Sequence, residues 1–273
     1  MHNIIIHKIT TCLAIVLVAL VSVSATRAAE PSANEIMQRS NLARYYPGDD
    51  MRARVVMRLI SSDGRERIRD MILTRRNIES GGEQRYFIFF TRPPDVRDMS
   101  FLVHRFPDRD DDRWLYLPAV KAVRRIAASD KNTSFVGSDF TYEDVSGRDP
   151  IDDTHALIRE EKFMQRDTFV VKSVPRNPAN ADFSRKESWV DKATWLPLKE
   201  EFYDRRGDLS RVFTAPEMKQ IEGFWTATKR VMKNAQSGHK TEVELSEVRY
   251  NRKLSADLFT ERSLRTPPAD LTR

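Results

Sequence analysis

The residue types that carry most enzyme chemistry are sparse in this sequence. Beyond residue 29 the chain has three histidines, His104, His155 and His239, and none lies in an HxH or HExxH spacing of the kind that binds zinc. Its nine glycines form no phosphate-binding loop, dinucleotide fingerprint or GxSxG nucleophile elbow. We therefore predict no metal, no cofactor and no covalent chemistry.

Two groups of acidic residues contain the carboxylates of a metal or catalytic site but lack the sequence pattern that such a site requires. The run "DRDDDR" at 108–113 lacks the central Gly and terminal Glu of a calcium loop, so we predict a charged hairpin tip. Asp139, Glu143 and Asp144 are carboxylates, yet no base or nucleophile accompanies them.

The same three acids belong to an unusual stretch, "SFVGSDFTYEDV" at 134–145. It places Phe135, Phe140 and Tyr142 in what should be a solvated connection, and aromatic side chains there need an apolar place to lie. Gly137 is the residue most able to take a positive φ. Thr141 and Asp144 have the spacing that caps one helical turn.

Residues 1–29 have the shape of a secretory signal peptide. An apolar run from Cys12 to Val23 is shorter than a membrane span, and the small-residue stretch "SATRAA" follows it. We predict cleavage after Ala28 or Ala29, with Ala25 a poorer option, and a soluble exported protein. Cys12 is the only cysteine and lies inside this peptide, so the mature chain is expected to have no disulfide.

Charge argues against nucleic-acid binding. The formal net charge of the 273-residue chain is +6, with 46 basic and 40 acidic residues. Removing Lys8 and Arg27 with the signal peptide leaves 44 against 40, about +4. The two signs alternate along the chain, which is typical of solvated strand surfaces and not of a basic binding stripe.

The remaining pattern predicts a mainly β domain over residues 30–273. Ser32 and Glu35 have the spacing of a helix cap. From Met51 onwards apolar residues recur at every second position, and about ten or eleven strands follow with no long helix between them. We predict an antiparallel meander, closed or half closed on itself. The run "YFIFF" at 86–90 is apolar on both faces, so its second face must meet the N-terminal helix, another layer or a ligand cavity.

Several motifs resemble one known family. The chain has "YLP" at 116–118, "RRI" at 124–126 and "SFVGSDFTYEDV" at 134–145, and later "WVDKATWLPLKEEFYD". These are similar to the LolA-like family of outer-membrane lipoprotein-sorting proteins, over about residues 33–265. The resemblance implies a strongly curved antiparallel sheet forming a half-open barrel, with short helices and a loop that cover a cavity for acyl chains.

The resemblance also implies a function. We expect a periplasmic carrier of a lipid, a lipoprotein acyl chain or another hydrophobe towards the outer membrane, and the family suggests an inner-membrane exporter of the resistance-nodulation-division type as partner. A sensor of mislocalised lipid or lipoprotein is the alternative, and an enzyme acting on a lipid is a third class. No permanent membrane anchor is expected.

We predict that the inward faces of the early strands and the aromatic segment form the cavity and its cover. The sequence leaves open whether residues 134–145 are a movable lid or a fixed plug, and the acids of this segment are expected to stay at the wet rim. The predicted ligand-binding residues are Val55, Met57, Leu59, Phe87, Phe89, Phe101, Val103, Trp114, Tyr116, Phe135, Phe140 and Tyr142.

Overall fold

A computed structural model describes residues 30–272 of the chain. The predicted signal peptide, residues 1–29, and Cys12 within it lie outside the described residues. The residues from Pro31 onwards form one compact unit. Within residues 30–272 no helix is long and apolar enough to cross a membrane.

One helix precedes the sheet. Helix α1 (Ala33–Tyr45) begins after Ser32, whose hydroxyl accepts a hydrogen bond from the Glu35 backbone N–H at 3.2 Å. This confirms the predicted cap, which satisfies one of the free N–H groups of the first turn.

Thirteen strands in the described residues form a single open antiparallel sheet, which confirms the predicted half-open barrel. In chain order they are β1 (Asp50–Ile60), β2 (Glu66–Asn77), β3 (Gln84–Arg92), β4 (Ser100–Arg105), β5 (Asp112–Leu117), β6 (Ala122–Ile126), β7 (Asp153–Phe163), β8 (Arg166–Pro175), β9 (Arg185–Asp191), β10 (Pro197–Tyr203), β11 (Leu209–Ile221), β12 (Phe224–Asn234) and β13 (Lys240–Tyr250). The predicted count was too low. One reason is that β7 gives no strand signal, because its side chains are mostly exposed and lack apolar alternation.

The strand order explains how the two ends of the sheet meet. The sheet runs β6-β5-β4-β3-β2-β1-β13-β12-β11-β10-β9-β8-β7, so the chain meanders outwards from β1 to one edge and re-enters at the opposite edge. The connection between β6 and β7, residues 127–152, must therefore pass from edge to edge. It carries the aromatic segment and helix α2 (Tyr142–Ser146).

The two faces of the early strands have different covers. The inner face bears the alternating apolar residues of β1, as predicted, and packs against the aromatic segment. The outer face of β3 to β5 packs against the C-terminal residues, which include helices α3 (Glu261–Arg265) and α4 (Ala269–Thr272). Leu264 and Leu271 are fully buried there.

This outer layer decides among the alternatives for "YFIFF", whose second face meets another layer. Phe87 and Phe89 lie under Leu258, Phe259 and Leu264, and neither α1 nor a cavity covers them. The sequence did not suggest this because the C-terminal tail is polar overall, with its few leucines spaced apart.

Candidate functional site: the inner face of the sheet and its cover

The aromatic segment 134–145 crosses the inner face and is buried in it. The Phe135 ring is 1% exposed and lies 5.3 Å from Phe101, 5.6 Å from Tyr142 and 6.2 Å from Phe90, measured between ring centroids. These distances are those of favourable aromatic pairs. The loop aromatics therefore have the apolar surroundings that their side chains require.

Phe140 points to a different part of the inner face. It belongs to an apolar cluster of the second half of the sheet, with Phe202, Phe213 and Met232. The backbone turns sharply between Phe135 and Phe140, where Gly137 has a φ of +83°. A Cβ at Gly137 would meet only Arg69, at 4.0 Å, so the backbone angle and not a lack of space favours glycine.

The acids of the segment hold it to the sheet. Asp144 accepts from the Thr141 backbone N–H at 2.8 Å and Thr141 accepts from the Asp144 N–H at 3.0 Å, which is the predicted helix cap. The second role of Asp144 is an ion pair with Arg211 on β11, at 2.6 Å.

Glu143 and Asp139 are also partnered. Glu143 is buried and forms ion pairs with Lys131 at 3.0 Å and Arg148 at 3.3 Å. Asp139 accepts hydrogen bonds from Thr241 at 2.7 Å and lies 2.6 Å from His239 Nδ1. The expectation that these acids stay at a wet rim is therefore wrong, because each carboxylate is buried or half-buried and bonded to neighbouring side chains.

A small apolar cavity lies between the sheet and residues 134–145, which we call the cover. Its volume is about 80 Å³, well below the roughly 300 Å³ at which ligand pockets begin. The walls come from β1, β2, β3 and β13, and the connecting segment contributes Phe135 and Phe140. The lining residues are Arg44, Val55, Met57, Met71, Leu73, Ile88, Phe135, Phe140, Asp144, Val145, Arg230, Val243 and Leu245.

A second cavity of about 50 Å³ adjoins the first. Arg44, Leu73, Val145 and Arg230 line both, so these four side chains separate the two spaces.

Beyond this partition the inner face becomes charged. Glu200 on β10 pairs with Arg44 at 2.6 Å and with Lys186 at 3.0 Å. Burial alone would raise the pKa of Glu200, but the two cations outweigh it and lower this pKa to about 2. The inner face therefore carries a buried ionic cluster around Glu200, next to the apolar cluster of Phe202 and Phe213.

The structure brings most of the predicted ligand-binding residues together. Seven of them lie in one inner-face cluster: Val55, Met57, Leu59, Phe101, Val103, Phe135 and Tyr142. Phe140 lines the cavity from the neighbouring cluster. Phe87, Phe89, Trp114 and Tyr116 do not share this space, since they pack on the outer face under the C-terminal residues. Successive strand residues point to opposite faces, and the prediction took residues of both.

Other wall residues were missed by the prediction. Met71 and Leu73 on β2, and Val243 and Leu245 on β13, alternate in the sequence and could have been found by that pattern. Arg44 and Arg230 carry no such signal, because a charged residue in a strand or helix is usually exposed.

The isolated histidines have structural partners. His104 Nε2 lies 2.8 Å from the Phe259 carbonyl, and both ring nitrogens of His155 have partners at 2.8 Å, Ser173 and the Pro150 carbonyl. The "DRDDDR" run lies at the β4–β5 hairpin, as predicted. Within residues 30–272 no group of three or more His, Cys, Asp or Glu side chains is arranged to hold a metal.

A family model and several solved structures are similar to this chain. A family model described only as an uncharacterized protein matches residues 82–266. An outer membrane lipoprotein-sorting protein domain from Vibrio parahaemolyticus is 33% identical, with a TM-score of 0.79, over 85% of this chain and 98% of that one. A DUF1329 family protein from Desulfovibrio piger is 28% identical, with a TM-score of 0.78, over 84% and 97%.

A more distant likeness concerns the fold alone. A LolA superfamily protein from Nitrosomonas europaea is 20% identical, with a TM-score of 0.65, over 85% of this chain and 99% of that one. None of the curated proteins matches the chain.

Proposed function

Because the chain belongs to the LolA-like family of outer-membrane lipoprotein-sorting proteins, we propose that it is a periplasmic carrier that shields an acyl chain on the inner face of its sheet. Its cargo is a lipid, a lipoprotein acyl chain or a similar hydrophobe. Its role is binding and transfer without covalent chemistry.

The observation that supports this proposal most is the apolar inner wall with a separate cover. Val55, Met71, Ile88 and Leu245 come from four different strands and face the same cavity. The side that closes it belongs to the connection 127–152 and not to the sheet. A wall on a rigid sheet with a cover on a connecting segment allows a ligand to replace the cover.

The cavity volume sets a condition on loading. About 80 Å³ is too small for a long acyl chain, so Phe135, Phe140 or both must leave the inner face when cargo enters. Burial of each methylene gains about 0.8 kcal/mol relative to water, and displaced aromatic rings must find other contacts. The segment 134–145 is therefore a cover that closes the empty carrier.

The free energy of moving an acyl chain from a bilayer to the carrier implies a partner protein. A bilayer offers an acyl chain the same burial as the carrier, so extraction is close to balanced. Directed traffic needs a donor that supplies energy or a receptor with a better site. We propose an inner-membrane exporter of the resistance-nodulation-division type as the donor, as the family resemblance suggests.

Native mass spectrometry of protein purified from a periplasmic extract without detergent tests the carrier proposal. A copurified lipid of defined mass, released on denaturation, is the expected result. Repeated recovery of empty protein, with no uptake of added oleate, would contradict it.

Crosslinking in intact cells then identifies the partner. A carrier is expected to crosslink to an exporter, whereas a sensor of mislocalised lipid would crosslink to a signalling protein. A protein that lacks residues 127–152 cannot serve as the control, because this deletion removes Phe135 and Tyr142 from the core. Cells that lack the exporter are the control.

A further inference from the structure

Arg230 lies at the centre of the inner face, on strand β12. Its neighbour across the ladder is Val243 of β13, and Val243 pairs in turn with Met57 of β1. Arg230 lines both cavities, beside apolar side chains of β1, β2 and β13. A guanidinium therefore stands at the end of the apolar wall.

The hydrogen bonding of Arg230 is incomplete. Its Nε donates to the Ala227 carbonyl at 3.2 Å, but within residues 30–272 its two Nη atoms have no acceptor and no carboxylate lies within ion-pair distance. Arg44 and Arg75, which line the same cavities, have acceptors for their Nη groups. Arg44 pairs with Glu200 at 2.6 Å, and Arg75 donates to the carbonyls of Tyr45 and Pro47.

A half-buried cation beside an apolar wall has lost part of its water without gaining an anionic partner, which is unfavourable for folding. Burial, and then the nearby charge of Arg44, lower the pKa of Arg230 to about 10, so the guanidinium is still charged at neutral pH. Groups that are retained at such a cost are concentrated at functional sites.

We infer that Arg230 binds the anionic headgroup of the cargo, a carboxylate or a phosphate, while the acyl chain lies along the apolar wall of β1, β2 and β13. This inference rests on the proposed carrier function. The planar guanidinium suits both anions because its N–H groups match two oxygens at once. Arg44 adds positive charge at the same partition but is already paired with Glu200.

Three probes that share the same acyl chain but differ in headgroup test the inference. They are oleate, 1-oleoyl-lysophosphatidate and the uncharged 1-monoolein, and their dissociation constants are measured for the wild-type protein, Arg230→Gln and Arg249→Gln. Arg249 is the matched control because it lies on β13, is exposed, and stands between the buried Val248 and Tyr250. The same loss of charge then occurs on the outer face.

We expect the wild-type protein to bind an anionic probe about tenfold to hundredfold more tightly than 1-monoolein, the range for a hydrogen bond to a charged group. Arg230→Gln should abolish this preference by weakening the binding of the two anionic probes, Arg249→Gln should retain it, and Arg230→Lys should retain part of it. The ratio of oleate to lysophosphatidate affinities separates a carboxylate from a phosphate cargo.

Thermal unfolding without ligand gives a second measurement. If Arg230 serves the cargo, Arg230→Gln should leave the melting temperature unchanged or raise it, since the substitution removes an unpaired charge. A variant that fails to fold, or one that retains the preference for anions, would overturn the inference.

The probes also separate the two proposals. Equal wild-type affinity for all three would overturn the role of Arg230 and leave the carrier proposal intact. Absence of binding for all three would overturn both.

Discussion

Asp144 and Arg211 form an ion pair of 2.6 Å that joins the cap of α2 to strand β11. Their side chains are 14% and 10% exposed, so water screens the pair only weakly. Arg211 also pairs with Asp182 at 2.6 Å and donates to the Asp139 carbonyl at 3.1 Å. Arg211 therefore attaches two connecting segments to the sheet, through Asp139 and Asp144 in one and Asp182 in the other.

The first prediction concerns this attachment. Asp144→Ala removes both the cap of α2 and one partner of Arg211, so we expect the free energy of unfolding to fall by about 1.5–3 kcal/mol. Urea unfolding measures this, with Asp110→Ala, an exposed aspartate of the β4–β5 hairpin, as the control. Equal stability of the two variants would show that Arg211 does not anchor the cover.

The second prediction concerns acid stability. The folded pKa of Glu200 is about 2, below its ordinary value of 4.5, so the folded state binds this proton less readily than the unfolded state. Its contribution to stability is present above about pH 4.5 and is lost as pH falls towards 2. A shift of this size corresponds to about 3 kcal/mol.

Glu200→Gln should make the free energy of unfolding less dependent on pH below about pH 4.5. It should also lower this free energy at pH 7 by about 3–5 kcal/mol, because Arg44 and Lys186 lose their buried partner. Urea unfolding between pH 3 and pH 7 measures both effects. Parallel pH profiles of the variant and the wild-type protein would contradict the prediction.

The third prediction separates the two faces of β3. Phe89 and Ile88 are adjacent, but Phe89 packs under the C-terminal residues and Ile88 faces the cavity. Phe89→Ala should lower the free energy of unfolding by about 3–5 kcal/mol and leave the affinity for oleate unchanged. Ile88→Ala should weaken oleate binding, since it removes apolar wall. Weaker oleate binding by Phe89→Ala, at conditions where it is folded, would argue against this assignment.

The fourth prediction concerns the cover. If cargo displaces Phe135 and Phe140, added oleate should accelerate amide hydrogen exchange across residues 134–145 while strands β1 and β2 stay protected. Phe140→Ala should bind an apolar dye more strongly than the wild-type protein when both are empty, because it opens the cavity. Exchange in this segment that is unaltered by oleate would identify a fixed plug.

Local patterns in the sequence predicted local structure well. The cap of α1 by Ser32 and the cap of α2 by Thr141 and Asp144 depend on side chains three residues from their partners. The alternation of β1 from Met51 to Leu59 identifies its buried face because strand side chains alternate regardless of what the strand pairs with. The antiparallel, half-open sheet was predictable from such runs together with the family resemblance.

Partners distant in the chain were decided by the tertiary structure alone. Phe87 and Ile88 are equally apolar, and the return of the C-terminal residues determines that the first lies on the outer face. Asp139 has the composition of a solvated loop residue, yet it lies beside His239, which is 100 residues away. Arg230 is one basic residue among 46, and only the strand order places it beside Met57 and the cavity. Periodicity shows which residues of a strand share a face, whereas the cover of that face and the partner of each charge depend on pairing between strands far apart in the sequence.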